Sequence, residues 1–306
     1  MVSAVFHSPG DASAEPVTVS VATPLPLSRD AANEPVKPVP APAAGRRPGI
    51  DGRAFWMRVL PPLAGLGLLW LVWQLATFKG GAFPTPAATW DAAAKLFADP
   101  FYRNGPNDQG IGWNVLYSLQ RVGVGFGLAA AVGIPLGFII GRFEFASRML
   151  SPLISLLKPV SPLAWLPIGL LVFKSANPAA IWTIFICSIW PMVVNTAVGV
   201  QRVPGDYLNV ARVLRLSEWK LMTRILLPAV LPYMLTGVRL SVGTAWLVIV
   251  AAEMLTGGVG IGFWVWDEWN NLNVQHIIIA IFVIGIVGLL LEWALMALAR
   301  RFSFDD

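Results

Sequence analysis

The chain has little that reacts. Of 306 residues one is cysteine, Cys187, and two are histidine, His7 and His276. A single thiol inside an apolar run excludes a disulfide or a cysteine metal site within one chain. Neither a His-Glu-x-x-His metal pattern nor a phosphate-loop lysine signature occurs, so the sequence contains neither a zinc hydrolase motif nor a nucleotide-binding loop. Serines stand without a neighbouring base, which leaves a covalent nucleophile unsupported. Charge is scarce as well, at 13% of residues. The net charge of +5 is spread over the ends of apolar segments rather than gathered in one patch, which argues against nucleic acid as a partner. No cofactor, metal or catalytic residue is expected.

What is present is apolar. Hydrophobic residues make up 56% of the chain, with 14 Trp and 16 Phe, and mean hydropathy is +0.65. That exceeds what a soluble core can bury and predicts an all-α integral membrane bundle. Six candidate spans follow: about Leu60–Phe78, Val115–Ile140, Leu150–Phe173, Ala179–Val200, Ala229–Leu255 and Ile277–Ala299. Each reaches the roughly 20 residues that a helix needs to cross about 30 Å of hydrocarbon.

Residues 1–48 are different material. Nine prolines, from Pro9 to Pro48, are mixed with Ala, Val and Ser and erase any helical period, which predicts a disordered tail. A secretory signal is not expected, because no basic start precedes an unbroken apolar stretch. With the tail in the cytoplasm, the inner side holds Arg46, Arg47, Arg53, Arg58, Arg142, Arg148, Arg202, Arg212, Arg215, Lys220, Arg224, Arg300 and Arg301. The outer side holds Lys79, Lys95, Arg103 and Lys174. Thirteen against four predicts both termini inside and the loop over 200–228 facing the cytoplasm.

That loop is too polar for a membrane core and carries its own helix signals. Asp206, after Pro204-Gly205, is a candidate N-cap for a short helix to about Leu214, and Ser217 for a second one that leads into Ile225-Leu-Leu-Pro228. It reads either as a folded surface offered to another protein or as a basic segment that only fixes orientation. On the opposite side, Pro84–Asp99 places Trp90, Ala94 and Phe97 on one helical face and Asp91, Lys95 and Asp99 on the other, as a helix lying at the membrane surface does. The glycine run Gly257-Gly-Val-Gly-Ile-Gly262 lacks the preceding strand and following lysine of a phosphate cradle; close helix approach beside Trp264, Trp266 and Trp269 is the expected role.

Ionisable groups within the spans each cost at least about 2.5–3.5 kcal/mol at the bilayer centre unless partnered or wet. Arg239, with Thr236 and Gly243 at i−3 and i+4, forms a polar stripe that faces either an ion-pair partner on another helix or an aqueous path. Glu253 lies fourteen residues on, about 21 Å away by helix rise, too far to pair with Arg239. Arg121, Lys158 and Glu292 lie nearer span ends, where long side chains either snorkel or pair with a charge on another helix. Arg239, Thr236 and Glu253 are the candidate translocation-path residues.

The 200–228 loop resembles the cytoplasmic signature of binding-protein-dependent ABC importer permeases, Glu-Ala-Ala-x3-Gly-x9-Ile-x-Leu-Pro. The frame falls on Asn209, Val210, Ala211, Arg215, Ile225, Leu227 and Pro228; Ala211 and the Ile-x-Leu-Pro end match, while the Glu, the first Ala and the Gly are replaced. Arg121-Val-Gly-Val-Gly-Phe-Gly127, Gly133-Ile-Pro-Leu-Gly137, Pro162-Leu-Ala-Trp-Leu-Pro167, Pro232 to Arg239 and Val250-Ala-Ala-Glu253 are similar to the branch that imports nitrate, sulfonates and taurine. Asn104 to Trp113, Asn195 to Gln201, Asn209 to Ser217 and Gly257 to Phe263 resemble its nitrate permeases.

The resemblance implies a type I ABC importer transmembrane domain with about six helices. It divides the chain into a tail (1–48), a first span with a periplasmic amphipathic segment (49–113), and a permease domain (114–300) whose coupling loop is 200–228. It implies a multi-pass subunit of the bacterial inner membrane, working as a homodimer. Two cytoplasmic ATP-binding subunits would dock on Asn209, Val210, Ala211, Arg212, Arg215, Leu216 and Pro228, and a periplasmic binding protein would deliver nitrate, or nitrite or cyanate. The same machinery carrying a sulfonate or taurine is the near alternative; a membrane channel or receptor is the distant one. Arg215 stands where the family has Gly. A left-handed backbone there would cost about 1–2 kcal/mol, so an ordinary right-handed or extended conformation is expected.

Overall fold

Proline and glycine decide where this apolar chain turns and where its helices touch. The computed structural model describes residues 52–78, 80 and 83–302. The proline-rich tail expected over 1–48 lies outside these residues. Apart from one β-bridge between Arg103 and Gln109, every described element is helical. Five helices among the described residues are long and apolar enough to cross a membrane, or six when one bent pair is taken as a single span.

Helix α1 (Gly52–Thr77) carries an apolar window of which nothing is buried within the chain. It leads to α2 (Pro86–Leu96), where the Thr85 hydroxyl accepts the Ala88 N–H at 3.3 Å and Pro86 takes the first turn, where its missing N–H costs nothing. α2 buries Pro86 and Thr89, while Trp90 and Phe97, on the face expected at a membrane surface, stay exposed. The anchoring face is the one whose small residues allow close approach, which leaves the tryptophan stripe free for an interfacial lipid surface.

Helices α3 (Ile111–Arg142) and α6 (Ala176–Gln201) form the centre of the bundle. Gly125, Ala129, Gly133 and Gly137 recur every fourth residue on one face of α3, all buried. A Cβ on Gly125 would come within 2.8 Å of Ile184, and one on Gly137 within 2.6 Å of Thr196. These small side chains let the two backbones approach, which replaces a hydrophobic driving force that is missing in lipid. Gly123 and Gly127, on the opposite face, meet open space.

The third expected span is not a straight helix. It divides into α4 (Glu144–Leu157), a 3₁₀ turn (Pro162–Trp165) and α5 (Leu166–Phe173), bent by 97°. Pro159, Pro162 and Pro167 each lack an N–H; Ser161, before Pro162, is pushed to an extended ψ of 130°, and Pro167 sits in the first turn of α5, where no donor is needed. Lys158, expected to snorkel or pair at a span end, is the C-cap of α4 at this bend.

After α6 the chain forms α7 (Gly205–Val213), then α8 (Glu218–Leu221), a π-helical turn (Met222–Leu226) and α9 (Leu227–Thr256). Ser217 caps α8 as expected, accepting the Lys220 N–H at 3.4 Å. Asp206 does not cap α7. Pro204 holds that position in an extended conformation, and Asp206 lies in the first turn, where its charge suits the helix dipole. A glycine turn leads to α10 (Ile261–Asn270), and α11 (Val274–Phe302) closes the bundle against α9.

Arg215 corrects a second expectation: its φ is 49°, left-handed. The reason is the hydrogen-bond closure of α7. Leu216 N–H donates to Ala211 O at 3.0 Å and Arg215 N–H to Arg212 O at 3.0 Å, the paired bonds of a Schellman cap. Leu216 and Leu208 pack with buried Ala211 over Phe138, Leu221 and Val230. Two satisfied carbonyls and this apolar contact outweigh the steric cost of a side chain in that conformation.

Candidate functional site

Glu253 is 1% exposed near the end of an apolar helix, so its carboxylate needs partners. It receives Arg121 Nη1 at 2.6 Å and Gly262 N–H at 3.0 Å, and Ser118 Oγ lies 2.8–2.9 Å from both its oxygens. Arg121 is held in turn: Nη1 also donates to Val259 O at 2.6 Å and Nε to Asn177 Oδ1 at 2.7 Å. Asn114 Oδ1 accepts Gly260 N–H at 2.9 Å, and Ser118 Oγ accepts Ile261 N–H at 3.0 Å. Of the two readings of Arg121, snorkelling at a span end and an ion pair with another helix, the second holds: a buried carboxylate captures it.

The glycine loop has a more specific part than close helix packing. Gly260 has φ 153°, a region open to glycine, and a Cβ there would overlap the Glu253 carboxyl group. A Cβ on Gly262 would overlap the Val250 carbonyl. The loop thus turns three backbone N–H groups, those of 260, 261 and 262, onto acceptors of α3 and α9. One of the three, that of Gly262, reaches the protein's own Glu253; the other two go to Asn114 and Ser118.

At the opposite end of the bundle, α7 and α8 form an elbow. Ala211 is buried, Leu216 is half-buried, and Asn209, Val210, Arg212, Arg215 and Pro228 are exposed. Glu218 anchors the elbow through Arg142 Nη2 at 3.1 Å on the end of α3. Its outer face shows Tyr207, Val210, Val213, Leu214 and Trp219, with Val213 82% and Trp219 76% exposed. An apolar patch rimmed by Arg212, Arg215 and Lys220 is a surface that protein contact would cover. The sequence frame found the elbow but not Tyr207, Val213, Leu214 and Trp219, because exposure depends on how α7 rolls over its buried Ala211.

Arg239 pairs through Nε and Nη2 with Glu292 of α11, the ion pair with another helix that was one of the two readings of each residue. Thr236 uses its hydroxyl on the Pro232 carbonyl at 3.0 Å. Both line an open groove of about 660 Å³ between α9 and α11, with Gly243, Gly285 and Gly288 along its floor. Arg239 and Glu253 are not brought together, as their spacing required. Of the clamp partners, Asn114, Ser118 and Arg121 carried a signal that went unread: they recur at i, i+4 and i+7, one polar stripe on an apolar helix.

Residues 133–304 match the family described as "Binding-protein-dependent transport system inner membrane component". The chain is 48% identical over 236 residues to the nitrate import permease protein NrtB of Synechocystis, covering 77% of this chain and 86% of that protein. It is 46% identical over 249 residues to NrtB of Leptolyngbya laminosa, covering 81% and 89%. It is 43% identical over 258 residues to the bicarbonate transport system permease protein CmpB of Synechocystis, covering 82% and 91%. Among solved structures it superposes on a chain of an inward-facing MetNI methionine ABC transporter with a TM-score of 0.54 at 16% identity, covering 62% of this chain and 94% of that one. The fold is that of a type I ABC importer transmembrane domain, and the chain belongs to the binding-protein-dependent transport system inner membrane components.

Proposed function

We propose that this chain is the permease subunit of an ATP-driven importer of nitrate. The observation that carries this reading is identity of 42–48% to nitrate import permeases over most of the chain. The basic residues that crowd the α7 end support a cytoplasmic position for that end and for both termini. ATP-binding subunits then dock on the exposed face of the elbow, and a periplasmic binding protein delivers the anion at the α10 end. Hydrolysis belongs to those partners, since the sequence has no phosphate-loop lysine of its own.

Energetics requires such an engine. A monovalent anion entering a cell that is negative inside climbs about 2.3 kcal/mol per 100 mV before any concentration gradient is added. An open pore would let it leak outward, so two gates must open in turn. The Arg239–Glu292 pair supports a dimer. Its side chains are 54% and 44% exposed in an apolar stretch, where charge must meet protein or water. Two copies facing each other across this groove supply both cover and a wet path, and place Arg239 and Thr236 along it.

A second reading is favoured by a specific observation: bicarbonate permeases are 43–44% identical. Nitrate and bicarbonate are both planar monoanions, so the same bundle serves either. Proteoliposomes with the permease, its ATP-binding subunits and its binding protein test both. Labelled nitrate should accumulate only with ATP and binding protein present, and unlabelled nitrate should compete better than bicarbonate or taurine. Uptake without ATP would refute the importer, and stronger competition by bicarbonate would move the substrate.

A further inference from the structure

Beside the Glu253 clamp lies a second feature that clamping does not use. A cavity of about 510 Å³ opens at the α10 end between α3, the start of α6 and the glycine loop. Its wall carries Tyr117, Gln120 and Arg121 of α3 and Asn177 of α6, in helices otherwise apolar, with Gln109 from the bridge segment before α3. Polar groups on a membrane-spanning face turn toward water or protein rather than lipid. The cavity is therefore aqueous.

Arg121 gives the cavity its character. Its Nε and Nη1 are occupied by Asn177, Glu253 and Val259, while Nη2 has no hydrogen-bond partner among the described residues. Two N–H donors are left on a guanidinium that its other bonds hold rigid. Glu253 does not cancel them fully, because Ser118 and the Gly262 N–H take up part of its charge. Gln109 supplies a further mark: its Nε2 donates to Pro106 O at 2.9 Å, and its Oε1 is buried with no partner among the described residues.

We propose that this cavity is a binding site for a small planar oxyanion, with Arg121 Nη2 as its principal donor and Gln120, Asn177 and Tyr117 as its polar wall. The proposal rests on the import reading in taking the transported anion, nitrate or bicarbonate, as the ligand. With Nε and Nη1 engaged, no parallel pair of N–H groups is free, so Nη2 holds a trigonal oxyanion through one nitrogen, with its two diverging N–H bonds as donors. Because the guanidinium already shares its charge with Glu253, the site binds weakly. A carrier needs that, since an ion held tightly does not leave. Its place at the α10 end makes it the first protein surface the anion meets after delivery.

The test labels the cavity wall. Cys187 is the only cysteine of the chain and is buried, so Val124→Cys, at a position 46% exposed on this wall, introduces one accessible thiol. The complete transporter is treated with a membrane-impermeant, negatively charged methanethiosulfonate, with nitrate, bicarbonate or gluconate at equal ionic strength. Nitrate or bicarbonate should slow labelling at least threefold, and gluconate should not. Adding Arg121→Lys, or Gln120→Glu, which leaves the clamp partners intact, should abolish the protection. Equal rates in all three anions, protection that survives both substitutions, or a thiol that never reacts would overturn the site. Nitrate import by the unsubstituted complex is measured in parallel. Import without protection leaves the functional reading standing and removes the site; protection without import does the reverse.

Discussion

Replacing Glu253 by glutamine tests whether the clamp holds the α10 end together. The substitution keeps side-chain volume and one carbonyl acceptor, and changes one oxygen into an NH2 donor. Both oxygens now face donors, Arg121 Nη1 on one and the Gly262 N–H on the other, with Ser118 beside both. Whichever way the amide turns, donor meets donor, and Arg121 loses its counter-charge at a side chain that is 15% exposed. Removing one member of a buried pair costs about 3–5 kcal/mol, and the retained carbonyl places the expected loss near the low end, about 3 kcal/mol. At about 2–4 °C per kcal/mol for a chain of this size, the apparent melting temperature should fall by about 6–12 °C. The assay is loss of monodispersity on heating the detergent-purified protein, followed by size exclusion. A double variant, Glu253→Gln with Arg121→Met, should lose less than the sum of the singles by about 1 kcal/mol or more, because no charge is then stranded. A fall of under about 2 °C for Glu253→Gln, or strict additivity, would refute the clamp.

Gly260→Ala pushes a methyl group into the Glu253 carboxyl group and strains the backbone, and should lower the same melting temperature by an amount equivalent to about 2 kcal/mol or more. Arg215→Gly relieves a left-handed side-chain residue and should raise stability by about 1 kcal/mol, whereas Arg215→Val should lower it; equal melting of the two would show that the cap is not held as described. Val213→Asp with Trp219→Asp alters only exposed side chains, so membrane assembly should be unchanged while ATP-dependent uptake and co-purification of the ATP-binding subunits are lost; retained uptake would remove the docking face. Arg239→Ala strands Glu292 in the α9–α11 groove and should reduce nitrate uptake about tenfold or more; unchanged uptake with normal assembly would take Arg239 off the path.

Most of the bundle was legible because its signals are local. Apolar length gave the spans, and Ser217 marked the start of α8 by the ordinary chemistry of a cap. The bent third span was misread because average hydropathy is blind to Pro159, Pro162 and Pro167, which break a run without making it polar. Arg215 was misread for a different reason. Intrinsic residue preference pointed one way, and the closure of α7 by Ala211 and Arg212 carbonyls, visible only in three dimensions, pointed the other. The site divides likewise: Glu253 stood out as a buried charge, but Arg121 is 132 positions away in sequence and the Gly262 N–H carries no side-chain signal at all. Spatial pairing across that distance is not a periodicity, so no window along the chain contains it.

The helical run from Glu218 through Met222–Leu226 to Thr256 covers 39 residues without a loop, a rod of about 58 Å. One tip is the elbow that protein contact would cover; the other bears the clamped carboxylate. A shaft moved at one tip moves at the other unless it bends between them, so displacement of the elbow either shifts Glu253 or is absorbed in the wider turn at 222–226 or at Pro232. The wider turn and Pro232 are where the linkage can give, and their stiffness sets how much of a displacement at one tip is felt at the other.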